Sequence, residues 1–419
     1  MMNQANTTLL PPSERRFVQN DQLQLLLNGC SGLSDTDKKY WTALFSVDGV
    51  GPSTFFLIAN YMNKNRISWS DFWVSKNNVW SKMSFSDELG RSIKKFQNEY
   101  EIESYWKWLM SKDISVLDIT QSEYPNLLKQ IYDPPPILFV KGELSLLSNL
   151  PIAIVGTRKM TAYGKMVTQK IVQELVANDA CIVSGFMYGV DVEAQKTAIS
   201  QNGTTVGVLG YGFDHIYPGS QHRLINQMIA TKKATFISEY PPFLRATKGT
   251  FPRRNRIIAG LSLGVVVTEA GVKSGTQITV DFALDYGRDI FAVSGPVTSP
   301  YHEGVKQMLN LGAMLVGSGL EVLNNLSAKN WQGRETNSLK KQLEPDSKLS
   351  AYLLRLNACQ RAVVQALMIM PLTNRELADQ LNLNQTETTN CLTDLEIRGM
   401  VELEANKWSL KKDLRAKIS

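Results

Sequence analysis

The sequence predicts an α/β protein: a doubly wound, Rossmann-like parallel sheet with a small N-terminal helical domain and a C-terminal winged helix. Three observations lead to that class. Between Pro151 and about Leu323, short β-branched runs alternate with helical runs. Ahead of them a helical pattern is broken once, at VDGVGPS (Val47 to Ser53). After them a polar stretch, Ser327 to Ser350, leads into a segment patterned as three helices and a hairpin.

Residues 1–35 read as a polar arm and 36–115 as a helical domain of helix-hairpin-helix (SAM-like) type. In the helical pattern from Lys38 to Met62, Gly49 and Gly51 bracket Val50, and Pro52 suits the first turn of the following helix. Such a turn can offer backbone N–H groups to a phosphate, and it reads equally as a tight turn inside a small helical domain. The tryptophan-rich region from Trp69 to Trp108 suggests core, and Tyr124 to Gly142 reads as a proline-stiffened connection into a strand. This lead-in opens the third domain, 116–325.

Six strands follow: Ile152–Gly156, Cys181–Gly185, Thr204–Gly210, Ala234–Ser238, Gly264–Gly271 and Asp289–Gly295. Their runs do not alternate with polar residues, so both faces are buried, as in a parallel sheet covered by helices on both sides. Residues 326–350 read as a linker and 351–419 as the winged helix, with helices Cys359–Met370, Arg375–Leu381 and Gln385–Arg398 before the hairpin.

The formal net charge of +6 is a mild bias toward polyanions. The cysteines (Cys30, Cys181, Cys359 and Cys391) form no C-x-x-C pair, and the histidines are not at ligand spacing; this argues against a disulfide framework and against structural zinc. With no membrane-length apolar run and no secretory start, a reduced, cytoplasmic protein is expected.

Ligands of open parallel sheets bind at the carboxyl ends of the strands. There the sequence places GTRKMTAYG (Gly156–Gly164), SGFMYGVD (Ser184–Asp191), GYGFDHIYPG (Gly210–Gly219) and EAGVKSGT (Glu269–Thr276). Glycines let backbone N–H groups approach an anion, helix N-termini add partial positive charge, and Arg158, Lys159, Arg253, Arg254 and Arg256 add full charges. Phe186, Tyr188 and Phe251 stand beside them. The dinucleotide fingerprint fails, since Arg158 occupies its second glycine position and GYGFDH ends in histidine; there is no Walker lysine motif either. No cofactor, metal or catalytic residue is expected. Glu269, Asp191 and His215 lack evident catalytic partners and suit helix caps or loop bonds. Anion loops without catalytic partners suggest a polymer of phosphates, and a cationic track beside aromatics suits single strands. That reading requires the arginines to reach solvent at a shared mouth, the alternative being internal ion pairs with acids such as Glu239 and Glu269.

Taken together, AIVGTRKMTAYG, VSGFMYGVD, GVLGYGFDHIYP, ISEYPP, FPRRNRIIAGLS, EAGVKSGT and GRDIFAVSGP resemble, in order, the DNA-processing protein A (DprA/Smf) family. The resemblance implies a non-enzymatic recombination mediator of natural transformation. Such a protein binds single-stranded DNA, loads RecA recombinase, helps displace single-strand-binding protein and forms homodimers through the sheet domain. Carried over by motif, the DNA contacts are Arg158, Lys159, Ser184, Gly185, Phe186, Phe251, Arg253, Arg254 and Arg256, with Asn255, Ser274, Gly275 and Thr276 shaping the same pocket. The sequence departs where Tyr188 and Gln195 replace the family's usual arginine and histidine, and where the later G-x-N motif reads Gly304-Val305-Lys306. An alternative is a nucleotide phosphoribohydrolase on a related sheet, but Thr279 stands where its G-T-x-x-E glutamate belongs. A second is a winged-helix transcription regulator. Against it, the third C-terminal helix carries Glu387, Asp394 and Glu396 opposite Arg398, which disfavours duplex readout and suits protein contact.

Overall fold

The computed structural model describes residues 33–74, 87–148, 150–272, 274–296, 298–326, 360, 363–364, 366–367, 371–381, 383–404 and 406–411. They fall into two compact units, divided between Gln332 and Gly333.

The first unit begins with α1 (Asp35–Phe45) and α2 (Pro52–Asn65), joined by a turn in which Gly49 takes φ +87°. Ser34 caps α1 by accepting from the Asp37 N–H, and Pro52 opens α2 with no N–H to lose. Then come α3 (Trp69–Val74), α4 (Asp87–Glu99) and α5 (Ile102–Ser111). Trp41, at the centre of this group, is fully buried and meets Phe55 and Trp69 edge-on.

A nine-stranded sheet follows: β1 (Ser115–Asp118), β2 (Ile137–Gly142), β3 (Leu150–Val155), β4 (Ala180–Ser184), β5 (Thr204–Leu209), β6 (Ala234–Ser238), β7 (Gly264–Val267), β8 (Asp289–Ala292) and β9 (Met314–Leu315). Its order is β1-β2-β6-β5-β4-β3-β7-β8-β9. From β6 to β9 all pairs are parallel, whereas β1 and β2 add an antiparallel edge. The strand order reverses between β3 and β7, the position where doubly wound sheets open a crevice. All six expected strands are present; β1 and β9 are additional.

The helices of the sheet region are α6 (Asn126–Lys129), α7 (Ala162–Ala177), α8 (Val190–Ser200), α9 (His222–Ala230), α10 (Thr250–Leu261), α11 (Gly275–Asp285), α12 (His302–Asn310) and α13 (Gly319–Asn324). Strand alternation sorts the core into two layers. Ile152, Ile154, Ile182, Val266 and Phe291 pack with α7, α8 and α13. Their neighbours Ala153, Val155, Cys181, Val183, Val265 and Ala292 pack on the opposite face with α10, α11, α12 and the N-terminal helices. The N-terminal helices therefore share one continuous core with one face of the sheet.

The second unit contains α14 (Asn374–Leu381), α15 (Gln385–Ile397) and a hairpin of β10 (Val401–Glu404) and β11 (Lys407–Leu410), with Leu372 bridging to Trp408. Asn384 and Glu387 form a capping box at the start of α15. The expected first helix, Cys359–Met370, lies mostly outside the described residues, but Val363, Val364 and Leu367 are helical and join the core of Leu377, Leu392, Leu395 and Val401. The expected linker and the arm before Leu33 also lie outside them. Cys391 is disulfide-bonded, a correction to the expectation drawn from the scattered cysteines, whereas Cys181 is a buried free thiol. Among the described residues no helix is long and apolar enough to cross a membrane, and no cluster of His, Cys, Asp and Glu could hold a metal ion.

Candidate functional site

A cleft of about 530 Å³ opens where the strand order reverses. The loop after β3 contributes Gly156, Thr157, Arg158 and Lys159; α10 contributes Phe251, Arg254 and Asn255; the start of α11 contributes Ser274, Gly275 and Thr276. Asp191, Thr279 and Tyr301 also line it.

The β3 loop is held from below. The Thr157 N–H donates to the Glu269 carbonyl at 2.8 Å, and the Tyr301 hydroxyl donates to the Lys159 carbonyl at 2.6 Å. Thr161, the N-cap of α7, gives its N–H and its hydroxyl to the two Glu269 carboxylate oxygens at 2.9 and 2.5 Å. Gly164 makes this possible, because a Cβ there would lie 2.0 Å from Glu269 Oε2. The Thr161 hydroxyl in turn accepts from the Gly164 N–H as the cap of α7, so buried Glu269 holds the capping residue in place. With their backbone so fixed, Arg158 and Lys159 turn exposed side chains toward the cleft, and the Arg158 guanidinium lies 5.6 Å over the ring of Phe251.

At the start of α11, Ser274 caps the helix by accepting from the Thr276 N–H. The Asn255 amide donates to the Gly275 carbonyl at 3.2 Å and accepts from Arg254 Nε, tying α10 to α11 across the cleft.

The three arginines of FPRRNR separate. Arg254 lines the cleft floor with 3% exposure, donating to the carbonyls of Gly185 (2.5 Å) and Val208. Burial lowers its pKa, and Asp191 opposes that shift. Burial likewise pushes the Asp191 carboxyl up to about 6, against the pull of Arg254 and the Met187 N–H. A Cβ on Gly185 would lie 2.6 Å from Arg254 Nη2 and 2.7 Å from Asp191 Oδ2, so only glycine leaves room for this pair. Arg256 points into the core, bonded to Glu239 and ion-paired with Asp133 at 2.9 Å. Burial opposes its charge, but the two carboxylates hold its pKa above the ordinary value. Arg253 is half-exposed and leaves the cleft for a second hollow of about 610 Å³, which it shares with the Val47–Gly51 turn, Lys95, Tyr100 and Glu239.

Several expectations are corrected by burial. Ser184 is enclosed, donating to the Ile154 carbonyl at 2.7 Å. Gly185 is buried as a spacer. Phe186 is fully buried edge-on against Phe236, with its backbone in the left-handed region at φ +52°. Arg256 is 1% exposed. None of these side chains is open to the cleft. Sequence reasoning also missed the cleft wall formed by Tyr301, for which only its position after the last glycine loop gave a signal. Thr279, where a phosphoribohydrolase needs glutamate, is buried at the cleft wall.

The family model described as DNA recombination-mediator protein A matches residues 115–327. DNA processing protein DprA of Bacillus subtilis (strain 168) is 41% identical over 223 residues, which is 53% of this chain and 74% of that protein. The chain belongs to the DNA recombination-mediator protein A family. Protein Smf of Escherichia coli K12 is 32% identical, covering 69% of this chain and 75% of the relative. The X-ray structure of DNA processing protein A from Streptococcus pneumoniae superposes with a TM-score of 0.57 at 30% identity, covering 69% of this chain and 98% of that one.

Proposed function

We propose that this chain binds single-stranded DNA at the cleft and acts as a non-enzymatic recombination mediator in the cytoplasm, loading RecA recombinase and displacing single-strand-binding protein during natural transformation. The observation that carries the reading is the pairing of Arg158 with the Phe251 ring at the rim of a glycine-lined cleft. It sets a phosphate-binding cation beside a base-stacking face, the combination single-strand binders use. The proposed contacts are Arg158, Lys159, Phe251, Arg254 and Asn255, with Ser274, Gly275 and Thr276 at the α11 N-terminus, and Arg253 at the second hollow. Membership in the family supports this reading, as does the commitment of Glu269 to holding the α7 cap.

We further propose that the chain forms homodimers through the β9 edge, where Leu311, Met314 and Leu315 are 55%, 41% and 56% exposed. The second unit is read as a winged helix that contacts protein, since Glu387 and Asp394 on α15 repel phosphates.

A gel shift comparing single-stranded with duplex oligonucleotides, with and without recombinase, tests the proposal. Preference for the single strand, and a further shift when recombinase is added, are expected. Duplex preference, or no binding by either form, overturns it.

A further inference from the structure

We infer that Tyr188 and Tyr217 form a second base-stacking surface, which carries unstacked bases of single-stranded DNA outward from Phe251. The inference deepens the proposed function and rests on it.

Phe186, the aromatic that the sequence offered for stacking, is sealed in the core. The side chains left at the surface are Tyr188 and Tyr217, each 50% exposed. They stand on different loops, after β4 and after β5, yet belong to one strip. The Tyr188 hydroxyl hydrogen-bonds the Ser220 hydroxyl at 2.8 Å, which latches the β4 loop to the β5 loop three residues beyond Tyr217. On its other side Tyr217 meets Phe251, ring centroids 5.7 Å apart, and Phe251 lies under Arg158. Tyr211, fully buried, backs Phe251 edge-on at 6.4 Å and fixes the direction its ring faces. The strip thus runs from a cation at the cleft, across Phe251, to two half-exposed phenol rings.

Exposed tyrosines are ordinary on protein surfaces. Two features make these a platform. Each is anchored at one edge, Tyr188 through its hydroxyl and Tyr217 against Phe251, so little side-chain freedom remains to be lost when a base lands. Tyr217 adjoins Phe251, which lies under the Arg158 guanidinium, and the Tyr188–Ser220 bond joins the second ring to the same loop, so the charge and the π-faces suit one polymer, an unpaired strand with its bases turned outward. Tyr188 and Tyr217 offer base contacts and no positive charge, so this part of the site should respond to bases and little to salt.

The test compares a 12-nucleotide thymidine strand with an abasic strand of equal phosphate count, binding wild type, Tyr188→Ala/Tyr217→Ala and Tyr188→Phe/Tyr217→Phe. Stacking of a base on an aromatic ring changes affinity by about fivefold to a hundredfold. The alanine pair is expected to lose at least about tenfold on the thymidine strand, nothing on the abasic strand, and to keep the wild-type salt slope. The phenylalanine pair keeps both rings but loses the Tyr188–Ser220 latch, and should bind the thymidine strand more tightly than the alanine pair and more weakly than wild type. Equal loss on both strands, or no loss on either, overturns the inference while the cleft's grip on phosphate stands. If wild type binds neither strand, the proposed function falls and this inference with it.

Discussion

Arg256 and Glu239 form an ion pair inside the protein, their side chains 1% and 2% exposed. Asp133, from the segment before β2, meets the same guanidinium, and the Tyr286 hydroxyl donates to Asp133 at 3.2 Å. The group ties α10 to the lead-in segment and to the end of α11. Removing one member of a buried pair leaves the other charge without compensation, at a cost of about 3–5 kcal/mol. Arg256→Ala should therefore lower the denaturant midpoint sharply, whereas Arg256→Met/Glu239→Leu, which removes both charges, should recover most of the loss. If Arg256→Ala melts like wild type, the buried pair is not holding α10.

Gly164→Ala tests the cap on α7. Its methyl would overlap the Glu269 carboxylate and push it off Thr161. Loss of a helix cap costs roughly 0.5–2 kcal/mol. A melt should show at least that, together with weaker DNA binding because the Arg158 loop is anchored through Glu269. A variant as stable and as tight as wild type would mean that the close approach does not position the loop.

The strands were legible in the sequence because each is buried on both faces and shows as an unbroken apolar run. β9, at two residues, and β1, at four, are too short to make a pattern. Turn chemistry marks the helix pair around Gly49 and the end of α15 at Gly399. The site was half legible. Glycine loops mark the cleft, but the arginines that cluster in the sequence at FPRRNR separate in space. Residues on a helix advance about 100° each, so Arg253, Arg254 and Arg256 must face three directions, and one of them had to enter the core. Phe186 was misplaced for a different reason: its left-handed backbone turns the ring back under the sheet end, which residue type alone does not disclose.

Arg158 is the cleaner test of the phosphate grip, since replacing Arg254 or Arg256 would also disturb buried partners. With three or four phosphates neutralised, log affinity for single strands should fall with log salt at a slope of roughly −2 to −3. Arg158→Ala should weaken binding to every sequence alike and flatten the slope by about 0.7. A titration series at several salt concentrations measures both, and an unchanged slope would place the phosphates elsewhere.

Asp191 is expected to make stability and single-strand affinity depend on pH. It faces Arg254, Arg158, the Ser184 hydroxyl and the Met187 N–H, and burial raises its pKa to about 6. An unfolded aspartate titrates near pH 4 (~3.9). Below that value the group is protonated in both states. Between about 4 and 6 the folded protein keeps a proton that the unfolded chain loses, so this contribution to stability falls as pH rises through the window, by on the order of 1–3 kcal/mol. Above about 6 both states are ionised and the cost of burying the charge stands in full. Binding follows the same proton: removing a negative charge beneath the cleft strengthens its hold on phosphate, so single-strand affinity should rise severalfold between about pH 7.5 and 5.5, on the order of 1 kcal/mol. Asp191→Asn should flatten both profiles. If the variant keeps the wild-type pH dependence of affinity, another group carries the proton.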